Sequence, residues 1–232
     1  MKKTLTTLLL GLASFSSFAD EVSPDNPVLR PLTLVDNEVF LAAGVAHEVT
    51  EGNDWKIGLQ AAYGINDNLT IGLDGLRYKI VGRENNGLGW DVALGGGLRG
   101  YRENGNGEAF AYGVDLSSKY VVSENRAYLF AAEYILWDEE RRDNRNEYRF
   151  SVGAMQNITD QITLTGTYSY SVLNDFVTDD AHSVSLGAEY VFSKHTSMGV
   201  FAEYTNFDAV ENGYDQRTNY ESLVGAFLTY RF

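Results

Sequence analysis

The stretch Asn219–Phe232, NYESLVGAFLTYRF, decides how the rest of the chain is read. In a strand, side chains alternate between two faces. Tyr220, Ser222, Val224, Ala226, Leu228, Tyr230 and Phe232 therefore share one face, and Glu221, Gly225, Thr229 and Arg231 share the other. The first face is apolar, carries aromatics toward its end and finishes on one. A soluble sheet has no use for such a face. A strand crossing a bilayer needs an apolar exterior with aromatic rings at the water boundary.

The terminus resembles the C-terminal signature of bacterial outer-membrane β-barrels of the porin-like kind, carried here by Leu228, Tyr230 and Phe232. The resemblance implies that these residues are an assembly signal read by the barrel-assembly machinery. It implies residence in the outer membrane of a Gram-negative cell, beside lipid and lipopolysaccharide. At the other end, Lys2 and Lys3 precede the apolar run Leu5–Leu12, and Ser17-Phe18-Ala19 presents small residues where a signal peptidase reads. Residues 1–19 read as a secretory signal peptide, since the run is too short to span a bilayer as a helix. Residues 20–37 hold all three prolines, Pro24, Pro27 and Pro31, and read as an extended periplasmic lead-in; residues 38–232 read as the barrel.

The composition agrees. The chain has no cysteine and a formal net charge of −14, which argues against nucleic acid or anionic headgroups as partners. Strand patterns run nearly unbroken from Glu38, as eleven segments: Glu38–Val49, Trp55–Gly64, Leu69–Val81, Leu88–Tyr101, Ala109–Val121, Ala127–Trp137, Glu147–Asn157, Gln161–Val172, His182–Phe192, Thr196–Asn206 and Asn219–Phe232. Barrels close with an even number of strands. A short strand near Leu32–Val35 makes twelve, and merging two N-terminal segments makes ten; twelve is the expectation. Within Leu69–Val81 the apolar set slips by one position after Asp74-Gly75. A β-bulge at Gly75 is the favoured reading, because the rival, a hairpin turn, leaves two strands too short to span the membrane.

Alternation also nominates the lumen. Phe110, Tyr112, Val114 and Leu116 face one way, while Asp115, Ser117 and Lys119 face the other; Thr163, Thr165, Thr167 and Ser169 repeat the polar row. Candidate luminal residues are Asp74, Arg77, Asp91, Arg99, Asp115, Lys119, Glu133, Arg149, Glu189 and Glu203. Three of the carboxylates sit in an echo, Ala132-Glu133-Tyr134, Ala188-Glu189-Tyr190 and Ala202-Glu203-Tyr204, read either as architecture, each Glu paired to an Arg, or as a constriction that selects solutes. Acidic loops, Asp138–Glu140, Asp179-Asp180 and Asp208–Glu211, suit repulsion of wrong partners or a divalent-cation bridge to lipopolysaccharide.

His47, His182 and His195 match no catalytic spacing, Gly95-Gly96-Gly97 reads as strand curvature, and there is no Cys/His metal set, so neither catalysis nor a cofactor is expected. The functional expectation is a narrow porin-like channel for small hydrophilic solutes. The alternative is a non-conducting structural or interaction barrel whose acidic loops do the work. Neither the solute nor the oligomeric state is written in the sequence.

Overall fold

The computed structural model describes residues 25–49, 55–84, 86–105, 107–215 and 221–232. The expected signal peptide, residues 20–24 of the lead-in, and Asn219 and Tyr220 of the final segment lie outside the described residues. Twelve strands form among them: β1 (Val39–Glu48), β2 (Trp55–Asn66), β3 (Leu69–Gly72), β4 (Gly75–Val81), β5 (Gly89–Asn104), β6 (Gly107–Ser123), β7 (Arg126–Glu139), β8 (Arg145–Asn157), β9 (Ile162–Asn174), β10 (Asp180–Val191), β11 (Thr196–Thr205) and β12 (Ser222–Arg231). Each pairs antiparallel with its chain neighbours, and β1 closes on β12 from Phe40↔Arg231 to Glu48↔Leu223. Closure leaves the sheet without the two free outer edges of an open sheet. Phe232 extends the seam: Val39 N–H donates to its carbonyl at 2.7 Å and its own N–H donates to Val39 O at 3.0 Å.

Twelve strands were expected, but the twelfth has a different origin. Residues 32–35 form no strand. Instead Leu69–Val81 splits, with Gly72 paired to Gly75 across a two-residue turn, Leu73-Asp74, so the hairpin reading holds and the bulge at Gly75 does not. Gly75 sits at φ +138°, a conformation that L side chains rarely adopt, and a Cβ on Gly97 of the next strand would overlap the Asp74 carbonyl. The glycine run of β5 thus serves close approach of this turn. The extra reversal also places the connections after β2 and β4 on one rim, with those after β6, β8 and β10. Chain ends and most short turns share this rim, as periplasmic rims do.

The exterior carries two aromatic girdles. Near the periplasmic rim lie Trp90 against Tyr120 and Tyr190 against Phe192, each with ring centroids 4.8 Å apart. Near the outer rim lie Tyr101 against Phe110 and Tyr134 against Tyr148, each at 5.2 Å. Between them Leu94, Val114, Val152, Leu186 and Val200 stand exposed, which is stable only against lipid.

Candidate functional site: the barrel lumen

The periplasmic mouth is filled from within. Residues 25–37 turn back as a strap into the barrel, where Val28 is fully buried against Val121 and Ala127. Lys119 Nζ, inward on β6, donates to the carbonyls of Pro27 and Arg30, both at 2.9 Å. Asp91 on β5 accepts from Leu32 N–H at 2.9 Å, and Arg30 pairs with Glu189 on β10 at 2.5 Å. Leu34 N–H donates to Thr70 Oγ1 at 2.8 Å, and Arg83 donates to Leu29 O at 2.6 Å. Asp91, Lys119 and Glu189 are therefore occupied in holding the strap.

At mid-height a ladder of ion pairs crosses five consecutive strands. Arg77 on β4 lies 3.4 Å from Asp115 on β6, Arg99 on β5 lies 2.6 Å from Asp115 and also pairs with Glu133 on β7, and Arg149 on β8 reaches Glu133 at 3.3 Å and Glu147 at 2.8 Å. Neighbouring glycines make the room: a Cβ on Gly95 would overlap the Asp115 carboxylate, and one on Gly113 would come 2.8 Å from the Arg99 stem. A shift between Leu98 and Gly100 in the β5–β6 register lets Arg99 and Arg102 both face inward while Tyr101 faces out. Five of the candidates, Arg77, Arg99, Asp115, Glu133 and Arg149, thus form one network. Asp74 sits on the β3–β4 turn at the edge of a cavity of about 270 Å³ that Arg77 and Arg99 also line.

The remaining walls differ in chemistry. From β8 to β10 the inward rows hold Ser151, Thr167, Ser169, Ser171 and Ser183, with Ser151 and Ser169 hydroxyls 2.7 Å apart. A cavity of about 180 Å³ opens against this hydroxyl wall, bounded by Arg102, Arg149, Glu147 and Glu203. Opposite, β1, β11 and β12 present small and aromatic side chains. Phe201 pairs with Gly225 and Phe227 with Gly199, and each ring covers its glycine so closely that a Cβ there would overlap it. Such cross-strand aromatic–glycine pairs bury backbone and pin register. The three Glu of the Ala-Glu-Tyr echo stand at different places, Glu133 in the ladder, Glu189 at the strap and Glu203 beside the hydroxyl wall, so they form no single ring.

The outer mouth is covered by residues 206–215, which follow β11. Phe207, Ala209 and Tyr214 are buried against Ala109, Ile135 and Trp137. Arg102 is enclosed by the rings of Trp137 (4.0 Å), Phe207 (4.3 Å) and Tyr214 (4.9 Å). Tyr214 donates to Glu139, and burial together with that carboxylate pushes its phenol well above the usual range, so it stays a donor. Arg145 and Arg142 donate to Asn212 O at 3.0 and 3.2 Å. Glu139, from the acidic run expected at the surface, is buried under this lid.

Several luminal residues escaped the sequence reading. Alternation places Phe201 and Phe227 inward, opposite Ala202 and Ala226, but an aromatic ring carries no polar signal that marks it as luminal. Arg102 and Arg30 carried no local signal, because their partners lie on other strands. Of the histidines, His47 abuts Trp55 (4.8 Å), His182 Nδ1 lies 2.6 Å from the Tyr168 hydroxyl, and His195 Nδ1 lies 2.7 Å from Arg231 O.

No family model matches the chain, and no curated protein does. Solved structures do. The NanC porin aligns with a TM-score of 0.58 at 12% identity, over 82% of this chain and 98% of that one. A loop L8 deletion mutant of OmpT, an outer membrane protein of Vibrio cholerae, aligns with a TM-score of 0.50 at 13% identity, over 85% and 98%. At such identities the likeness is one of fold. Taken with the lipid-facing belt and the two girdles, it gives this chain the twelve-stranded membrane β-barrel fold seen in bacterial outer-membrane proteins.

Proposed function

We infer that the barrel is a narrow channel for small hydrophilic solutes, held closed at rest by the strap and the outer lid. The observation that carries this reading is the unfilled polar space between the two closures: cavities of about 270 and 180 Å³ flank the ion-pair ladder, lined by hydroxyls and guanidinium groups. Twelve strands enclose more space than small side chains fill, whereas about eight are plugged by their own residues. Both closures are held by hydrogen bonds and ion pairs from a single segment each, and such local contacts open at lower free energy than the sheet.

Single-channel recording in planar bilayers tests the reading. Full-length protein is expected to show stepwise conductance with long closed periods, and a variant lacking residues 20–37 should stay open longer. Silence from both, in protein that still migrates differently before and after boiling, refutes the channel and leaves the closed interaction barrel. That second reading draws on the same ladder, whose paired charges lock neighbouring strands together.

A further inference from the structure

Beneath the outer lid the ionic groups of the lumen divide into those that have partners and those that do not. Arg149 directs its donors to Glu133 and Glu147. Glu147 in turn accepts from Ser171 Oγ at 2.8 Å and from Trp137 Nε1 at 3.3 Å. These charges are satisfied within the ladder.

Two other groups on the cavity of about 180 Å³ are not. Arg102 makes no ion pair among the described residues; three aromatic rings hold its guanidinium, and its Nη1 is buried without a hydrogen-bond partner. Glu203, on β11, takes part in no hydrogen bond and no ion pair among the described residues. A buried donor left unpaired is costly, so a solute group that answers it is bound in proportion.

Both groups line the same space, together with neutral hydroxyls: Ser183 pairs with Thr205 across β10 and β11, and Ser169 and Ser171 stand on β9. A simple anion placed here meets Arg102 but also the Glu203 charge, and a simple cation meets the converse. A solute that carries both signs meets each group with its opposite. The volume is below the roughly 300–1,000 Å³ of sites for drug-sized ligands, which restricts the occupant to a small one.

We propose that this cavity is a binding site for a small zwitterion of the free amino acid class, with its carboxylate on Arg102, its ammonium on Glu203 and the hydroxyls of Ser183 and Thr205 beside it. Phe207 of the lid lines the same cavity, and its N–H donates to Thr205 Oγ1 at 3.2 Å, so a solute held here touches the closure itself. How the solute arrives rests on the channel reading, whereas its binding does not.

Saturation-transfer NMR on the full-length barrel in deuterated detergent micelles tests the site without any need for conduction. Glycine, β-alanine and 4-aminobutyrate present the two charges at increasing separation, while butyrate and butylamine present one each. At least one zwitterion should bind about tenfold or more tightly than both single-charge probes, because each of those forfeits a charge-assisted hydrogen bond. Glu203→Gln, which keeps the shape of the side chain, should weaken that zwitterion about tenfold. Butyrate or butylamine binding as well as the best zwitterion, or no binding at all, overturns the proposal in the native chain, where no variant has to fold. So does a zwitterion affinity indifferent to Glu203→Gln in a barrel that still shifts on boiling. Silent recordings with binding intact remove the channel and leave the site; stepwise conductance without binding removes the site and leaves the channel.

Discussion

Replacing Lys119 by methionine should release the strap while leaving the barrel standing. Lys119 is buried, and its ammonium donates to two strap carbonyls at 2.9 Å each. Hydrogen bonds to charged groups contribute about 1.5–3 kcal/mol apiece, so the pair holds the strap by about 3–6 kcal/mol. Relief of the buried charge works in the opposite direction, and methionine keeps an unbranched apolar stem of similar length. The lower end is the better expectation, about 3 kcal/mol, or roughly a hundredfold rise in the undocked fraction. Amide hydrogen exchange reads this directly. The Leu32 and Leu34 amides, bonded to Asp91 Oδ2 and Thr70 Oγ1, should lose about two orders of magnitude in protection. Amides in β6 and β7 should exchange as before. Unchanged protection at Leu32 and Leu34 in a folded Lys119→Met barrel would refute the assignment of Lys119 as the clasp.

Neutralising Glu133 with glutamine leaves Arg99 and Arg149 less compensated, so in conducting protein the reversal potential under a salt gradient should shift toward anions, with Glu203→Gln adding to it; no shift removes both from selectivity. Phe227→Ala uncovers Gly199 and should cost about 1–3 kcal/mol in urea unfolding from lipid, less than a fully buried Phe because the ring is only partly buried. Removing Phe232 should lower the amount of assembled barrel in cells, as the resemblance of the terminus implies. It should also loosen the seam, since Phe232 is only 5% exposed and exchanges two backbone bonds with Val39; normal assembly with normal heat resistance would contradict both expectations.

Much of this architecture was legible in the chain. Alternation separates Val114 and Leu116 from Asp115 and Ser117 because a strand has only two faces, and one of them must meet lipid. That rule also supplied the inward direction of the ladder residues. It could not say which would touch: Arg77 and Asp115 are 38 positions apart, and their contact is set by register across β4, β5 and β6. Asp74-Gly75 carries a hairpin signal in the sequence, but the rule that every strand spans the membrane points instead to a bulge. The barrel instead tolerates a short hairpin, Leu69–Gly72 paired with Gly75–Val81.

By itself the sequence determined the class of the protein, its lipid-facing surface and the set of polar residues turned inward, because these follow from period-two alternation and from what hydrocarbon excludes. Only the tertiary structure decided that residues 25–37 enter the barrel, that residues 206–215 cover its outer mouth, and that two phenylalanines rest on glycines across the β11–β12 pair. Those arrangements join segments far apart in the chain, and their free energy comes from contacts that exist only once the barrel has closed.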